Sequence, residues 1–166
     1  MNEELTYPQK LLRFIPMVAL PLIVGAISAL LTGNAMDSYQ VMNQPPLAPP
    51  AWRFPIAWTI LYILMGLGSY YLLLAPAESI EKKRAKCIAM IVYFIQLCFN
   101  FVWSLIFFDA EQYTFAFVWL MILWVMIIVM IWKTSKVCWK AMLMFIPYLL
   151  WCTFAAYLNL MIAILN

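Results

Sequence analysis

The chain contains no histidine. That absence removes imidazole from its usual roles: general acid and base, partner of serine and cysteine nucleophiles, and ligand to haem iron or zinc. Charge is scarce too. Asp, Glu, Lys and Arg make up 10% of the 166 residues, against about 25% in an average soluble domain. A soluble domain of this size exposes too much surface to stay dispersed with so few charges. The four cysteines, Cys87, Cys98, Cys138 and Cys152, form no Cys-x-x-Cys pair. Without that spacing or a histidine there is no zinc pattern, no metal site is expected, and the cysteines read as small apolar side chains.

What the chain has in excess is apolar and aromatic. Hydrophobic residues are 67% of the total and aromatics 17%, with eight Trp. That composition excludes a disordered chain and points to the bilayer.

Five stretches carry no Asp, Glu, Lys or Arg: Phe14 to Met36, Phe54 to Ala77, Cys87 to Phe108, Gln112 to Trp132 and Ala141 to Asn166. Each is long enough for a spanning helix of about 20 residues. Runs such as Phe117 to Val129 do not alternate apolar with polar as barrel strands do, which favours a helical bundle. The expectation is an all-α integral membrane bundle of five helices, near 11–33, 54–76, 87–108, 113–132 and 141–165, forming one domain over 1–166. The apolar run from Phe14 to Leu31 exceeds the roughly 7–15 residues of a signal-peptide core, so it reads as a retained first helix.

Five spans put the N-terminus and the connections 78–86 and 133–140 on one side. That side holds Lys10, Arg13, Lys82, Lys83, Arg84, Lys86, Lys133, Lys136 and Lys140, and only Arg53 stands opposite. The positive-inside rule then predicts a cytoplasmic N-terminus and an external C-terminus. The run Glu81 to Lys86 reads as a solvated loop, and no nucleic-acid partner is expected.

The connection from about 34 to 53 is the longest. Within it Pro45, Pro46, Pro49 and Pro50 fix φ and remove backbone donors, so the segment from Gln44 to Trp52 reads as stiff and extended. It is either a rigid linker with Trp52 as an interfacial anchor or a lid closing a pocket on the external side.

Polar residues inside spans usually face the bundle. In the third span Gln96, Asn100, Trp103 and Phe107 share one helical face; in the second, Trp58, Tyr62, Gly66 and Ser69; in the fifth, Tyr148, Trp151, Ala155 and Asn159. Converging, the stripes make an aromatic cavity with sparse polar anchors, the usual character of a site for a lipophilic small molecule. The other reading is that Gln96, Asn100 and Asn159 only join helices. The first span carries Gly25 and Ala29, spaced for close helix packing, with Pro16 and Pro21 near its start; the fourth reads as the most lipid-facing helix or a dimer face.

Three segments are specific enough to name a likeness: Pro45 to Tyr62 (PPLAPPAWRFPIAWTILY), Gln96 to Phe108 (QLCFNFVWSLIFF) and Pro147 to Asn159 (PYLLWCTFAAYLN). In this order and on these spans they resemble the signature of the TspO/translocator protein family, the peripheral benzodiazepine receptors. The resemblance covers essentially the whole chain.

It implies a five-helix bundle, a homodimer in many members, that binds porphyrins such as protoporphyrin IX and isoquinoline- or benzodiazepine-type ligands beneath the first loop. By motif match the binding positions are Trp52, Phe54, Trp58, Tyr62, Asn100, Trp103, Phe107, Trp151 and Ala155; Tyr148 joins them from the stripe on the fifth span. Some bacterial members degrade porphyrin in light and oxygen through two pocket tryptophans, which match Trp58 and Trp151. Three positions depart from the family. An acidic residue common in the fourth helix aligns with Trp119. A pocket tryptophan of animal members aligns with Phe115, which keeps ring surface but not the indole N–H. No basic residue follows Tyr157, so the family's sterol motif is missing its cation.

The functions in view are therefore a tetrapyrrole receptor or transporter-like regulator in a bacterial cytoplasmic membrane, a light-dependent porphyrin-degrading activity, and a dimeric scaffold. No resident cofactor is implied. The five charge-free stretches hold no Asp, Glu, Lys, Arg or His for proton coupling, and five spans cannot form two inverted halves, so a conventional coupled transporter is less supported.

Overall fold

The computed structural model describes residues 6–33 and 35–166, and all the regular structure among them is helical. The helices are α1 (Tyr7–Leu31), a short α2 (Ala35–Val41), α3 (Arg53–Leu74), α4 (Ile80–Ser104, prolonged by a wide turn over Leu105–Asp109), α5 (Tyr113–Ser135) and α6 (Trp139–Leu165). Five of these are long and apolar enough to cross a membrane.

The spanning helices form a ring. α1 packs on α3, α3 on α6, α6 on α5 and α5 on α4, and α4 returns to touch both α1 and α3. Met65, Tyr93, Leu97, Phe145, Tyr148 and Cys152 fill the centre. Close approach is set by missing side chains. A Cβ on Gly66 would lie 2.6 Å from Val18 Cα, so α1 crosses α3 where no side chain intervenes. On α5, Ala116, Leu120, Leu123, Ile127, Met130 and Thr134 face inward, while Phe115, Val118, Ile122 and Val125 face outward. An all-apolar helix is thus half buried and half presented to lipid.

Helix ends follow local chemistry. α3 stops at Leu74 because Ala75 precedes Pro76 and adopts extended angles (φ −60°, ψ 132°). α4 begins at Ile80, well before the expected 87: the run Glu81 to Lys86 is its first turns rather than a loop. The Ser79 hydroxyl accepts the Lys82 N–H at 3.2 Å, capping the helix. Lys86 then reaches back to the end of α3, donating to the carbonyls of Leu73 (2.7 Å) and Ala75 (2.8 Å).

The long connection also departs from a simple extended strap. It begins with α2, and the proline segment contains a turn in which Ala48 N–H donates to Pro45 C=O (3.1 Å) with Leu47 at φ 72°. The segment from Gln44 to Trp52 itself contains no helix. The connection is fastened to the C-terminal end of α6. Tyr157 donates its hydroxyl proton to Pro46 C=O (2.8 Å), and Asn43 and Asn166 exchange side-chain-to-backbone bonds (3.0 and 3.2 Å).

Candidate functional site

A cavity of about 590 Å³ lies between α1, α3, α4 and α6, with the long connection over one end. α3 supplies Phe54, Pro55, Trp58, Thr59 and Tyr62. α4 supplies Asn100, Trp103 and Ser104, with Phe108 from its wide turn. α6 supplies Trp151 and Ala155, and Gly33 and Ala35 close the end. α1 contributes a wall of mostly small residues: Leu22, Gly25, Ala26, Ser28, Ala29 and Thr32.

The aromatic wall is interlocked. Trp58 stacks on Tyr62 (centroids 5.5 Å, 29°) and meets Trp151 edge-on (6.4 Å, 81°). Phe54 packs edge-on against Trp151 (6.0 Å) and against Tyr39 of α2 (4.9 Å). Tyr39 is buried, so α2 is clasped to the cavity's aromatic rim. Burial raises the Tyr39 phenol above its ordinary pKa of 10.0, and its hydroxyl has no hydrogen-bond partner among the described residues.

The polar groups form one chain across three helices. Tyr62 hydroxyl donates to Asn100 Oδ1 (3.0 Å), Asn100 Nδ2 donates to Tyr148 hydroxyl (3.2 Å), and Tyr148 donates to Gln96 Oε1 (2.6 Å). Asn100 thus has both roles the sequence left open: it joins helices and borders the cavity. Gln96 and Asn159 are buried away from it. Asn159 accepts the Trp103 indole N–H (3.1 Å) and donates to Tyr113 C=O (2.8 Å), fixing one cavity ring. Across the cavity, Ser28 and Ser104 are hydrogen-bonded; the Ser104 proton goes to Phe101 C=O (2.7 Å), so Ser28 is the donor. The Trp151 indole nitrogen is buried with no partner among the described residues.

Of the residues named from sequence, Phe54, Trp58, Tyr62, Asn100, Trp103, Trp151 and Ala155 line this cavity. Four others stand elsewhere. Trp52 is 62% exposed at the start of α3, with the Arg53 guanidinium 5.4 Å from its ring centroid. Phe115 is 54% exposed on the outer face of α5. Tyr148 is fully buried behind Asn100. Phe107 is buried between Trp103 (5.3 Å) and Tyr113 (5.3 Å), and Phe108 takes the place at the cavity. The cause is the wide turn, closed by Ala110 N–H to Leu105 C=O (2.9 Å): each residue in it turns through a smaller angle, so the cavity-facing direction is reached one residue later.

The α1 wall was not anticipated as a site. Its signal is the run of small residues, which lets helices approach but equally leaves room for a ligand. A Cβ on Gly25 would collide with the Tyr62 ring, so this face is both a contact and a wall.

Comparison with known proteins gives a consistent result. The TspO/MBR family model matches residues 17–165. The chain is 33% identical over 150 residues to the tryptophan-rich protein TspO of Chlorobaculum tepidum, covering 90% of this chain and 92% of the relative. It is 33% identical over 121 residues to the tryptophan-rich sensory protein of Cereibacter sphaeroides, covering 73% and 72%. It is 33% identical over 127 residues to the translocator protein of Ovis aries, covering 76% and 73%.

Proposed function

Because the chain belongs to the TspO/MBR family and is a multi-pass integral membrane protein, we propose that it is a receptor or transporter-like regulator that binds a porphyrin in the cavity of its helix bundle. Protoporphyrin IX is the natural candidate, and isoquinoline- or benzodiazepine-type molecules compete for the same space. The observation that carries this reading is the pairing of Trp58 and Trp151 at 6.4 Å beside Asn100 on one cavity wall. Flat aromatic surface with one amide anchor suits a flat, largely apolar ligand. A volume of about 590 Å³ falls in the range of small-molecule sites. Metal-free porphyrin fits better than haem, since no histidine is available for iron.

The names of relatives support the same class: one is called sensory, another translocator. The charge asymmetry supports insertion in a bacterial cytoplasmic membrane with the N-terminus inside and the cavity end outside. A homodimer through the outward face of α5 fits its exposed apolar residues.

Titration with protoporphyrin IX, followed by quenching of tryptophan fluorescence, tests the reading. Saturable quenching that weakens several-fold in Trp58→Phe and in Asn100→Ala is expected. Absence of saturation, or unchanged affinity in both variants, contradicts it.

A second reading rests on both indoles bordering the same cavity. Bound porphyrin is itself a photosensitiser, dioxygen is the oxidant, and Trp58 and Trp151 are the electron-rich partners. Under illumination the porphyrin absorbance then decays faster with the protein than without it. The double variant carrying Trp58→Phe and Trp151→Phe loses that acceleration; an unaffected rate rejects their role.

A further inference from the structure

At the end of the bundle opposite the cavity, the turn between α5 and α6 gathers Trp132, Lys133, Lys136, Trp139 and Lys140 within nine residues. The Lys133 ammonium lies 4.4 Å from the Trp132 ring centroid, and that of Lys136 lies 4.5 Å from the same centroid. Two like charges are therefore held within about 9 Å of each other by one indole. Nothing on these helices offsets them, because the chain has no Asp or Glu after Glu111.

The neighbouring turn between α3 and α4 is different. There Glu78 and Glu81 stand among Lys82, Lys83 and Arg84, and Lys86 is spent on the carbonyls at the end of α3. Helix dipoles account for part of the α5–α6 cluster only. The carbonyl end of α5 favours Lys133 and Lys136, but Lys140 sits in the first turn of α6, where a helix favours negative charge. Trp132 and Trp139 are both exposed, beside the outward apolar side chains Ile128 and Leu143. Indole rings in that setting mark the headgroup level of a membrane.

We propose that this cluster is a binding site for the phosphate of an anionic phospholipid, with Lys133 and Lys136 holding the phosphate and Lys140 adding to the field. The lipid remains in its leaflet, where the acyl chains run along the outer faces of α5 and α6. The site is independent of the porphyrin reading and stands whether or not the cavity binds one.

The test uses the full chain in neutral detergent, titrated with phosphatidylglycerol or phosphatidylcholine and read by native mass spectrometry as lipid bound per protein. Phosphatidylglycerol is expected to bind about tenfold more tightly or better, because lysines at headgroup level favour an anionic lipid. The double variant Lys133→Gln, Lys136→Gln abolishes that preference, and replacing both by Arg retains it. Lys82→Gln with Lys83→Gln removes the same charge from the neighbouring turn and leaves the preference intact. Equal affinity for the two lipids in the unmodified chain overturns the proposal. So does equal loss in the two double-Gln variants, which means diffuse charge rather than a site. Competition by millimolar glycerol phosphate overturns the lipid assignment, since the site then serves a soluble phosphate.

Discussion

The Tyr62 hydroxyl donates to Asn100 Oδ1 at 3.0 Å, and through Asn100 and Tyr148 that bond ties α3, α4 and α6 around the cavity. Both residues face the cavity, so the contact that closes the bundle also shapes the site.

Asn100→Leu keeps the branched shape and removes both hydrogen bonds. It leaves the Tyr62 and Tyr148 hydroxyls partly unpaired in a buried setting, at a cost of about 1–3 kcal/mol. Tyr62→Phe removes one bond and leaves Asn100 its bond to Tyr148, so its effect is smaller. Thermal unfolding in detergent is expected to rank the unmodified chain above Tyr62→Phe, and Tyr62→Phe above Asn100→Leu. The reverse order of the two variants contradicts the network as drawn.

Two glycines make a matched test of rigidity. An added methyl at Gly66 meets the backbone of Val18 (2.6 Å) and Met17 (3.0 Å), which cannot move without shifting α1. At Gly25 it meets the ring of Tyr62, a side chain able to rotate if its bond to Asn100 breaks. Gly66→Ala is therefore expected to lower stability by about 1–3 kcal/mol. Gly25→Ala is expected to lower it less and to change ligand affinity more. Unfolding midpoints and the porphyrin titration, measured on the same two variants, separate the effects.

The strap over the cavity is held by Tyr157 to Pro46 C=O and by the pair Asn43 and Asn166. Tyr157→Phe removes one exposed bond and no ring, so the fold is expected to keep its stability to within about 1 kcal/mol. Ligand dissociation is expected to quicken, because the strap opens more often. Stopped-flow displacement measures that rate; an unchanged rate shows that the strap does not limit exit.

The fold was readable because a bilayer imposes one demand on every span: about 20 residues without charge. The five stretches met it, and their polar faces named Trp58, Tyr62, Asn100 and Trp151, which share one cavity wall. What escaped has identifiable causes. Phe108 stands at the cavity because of a wide turn, and no composition rule announces such a turn. The run Glu81 to Lys86 read as a loop because charge marks the end of a span, although the helix beneath it continues. The α1 wall escaped because Gly25, Ala26, Ser28, Ala29 and Thr32 are small, and small residues report closeness without saying what is close. Trp52 follows four prolines like a lid residue, yet its ring lies outside beside Arg53.

Ala155 offers a steric test that leaves the aromatic wall intact. It borders the cavity from α6, and a larger side chain there projects into the space facing Trp151. Ala155→Phe is expected to cut porphyrin affinity about tenfold or more while the protein still unfolds cooperatively. Ala156, its neighbour, is buried and does not border the cavity; Ala156→Ser is expected to leave affinity within about twofold. Equal affinities in the Ala155 variant and the unmodified chain would place the ligand elsewhere.

A flat tetrapyrrole held in the cavity between α1, α3, α4 and α6 is the proposal on which the other predictions rest. The most direct test is a structure of the protein with protoporphyrin IX bound. Planar density is expected in the cavity against Trp58, Asn100 and Trp151, with the Ser28–Ser104 side of the cavity facing it. Planar density on the outer faces of the helices, with the cavity left clear at saturating ligand, contradicts it.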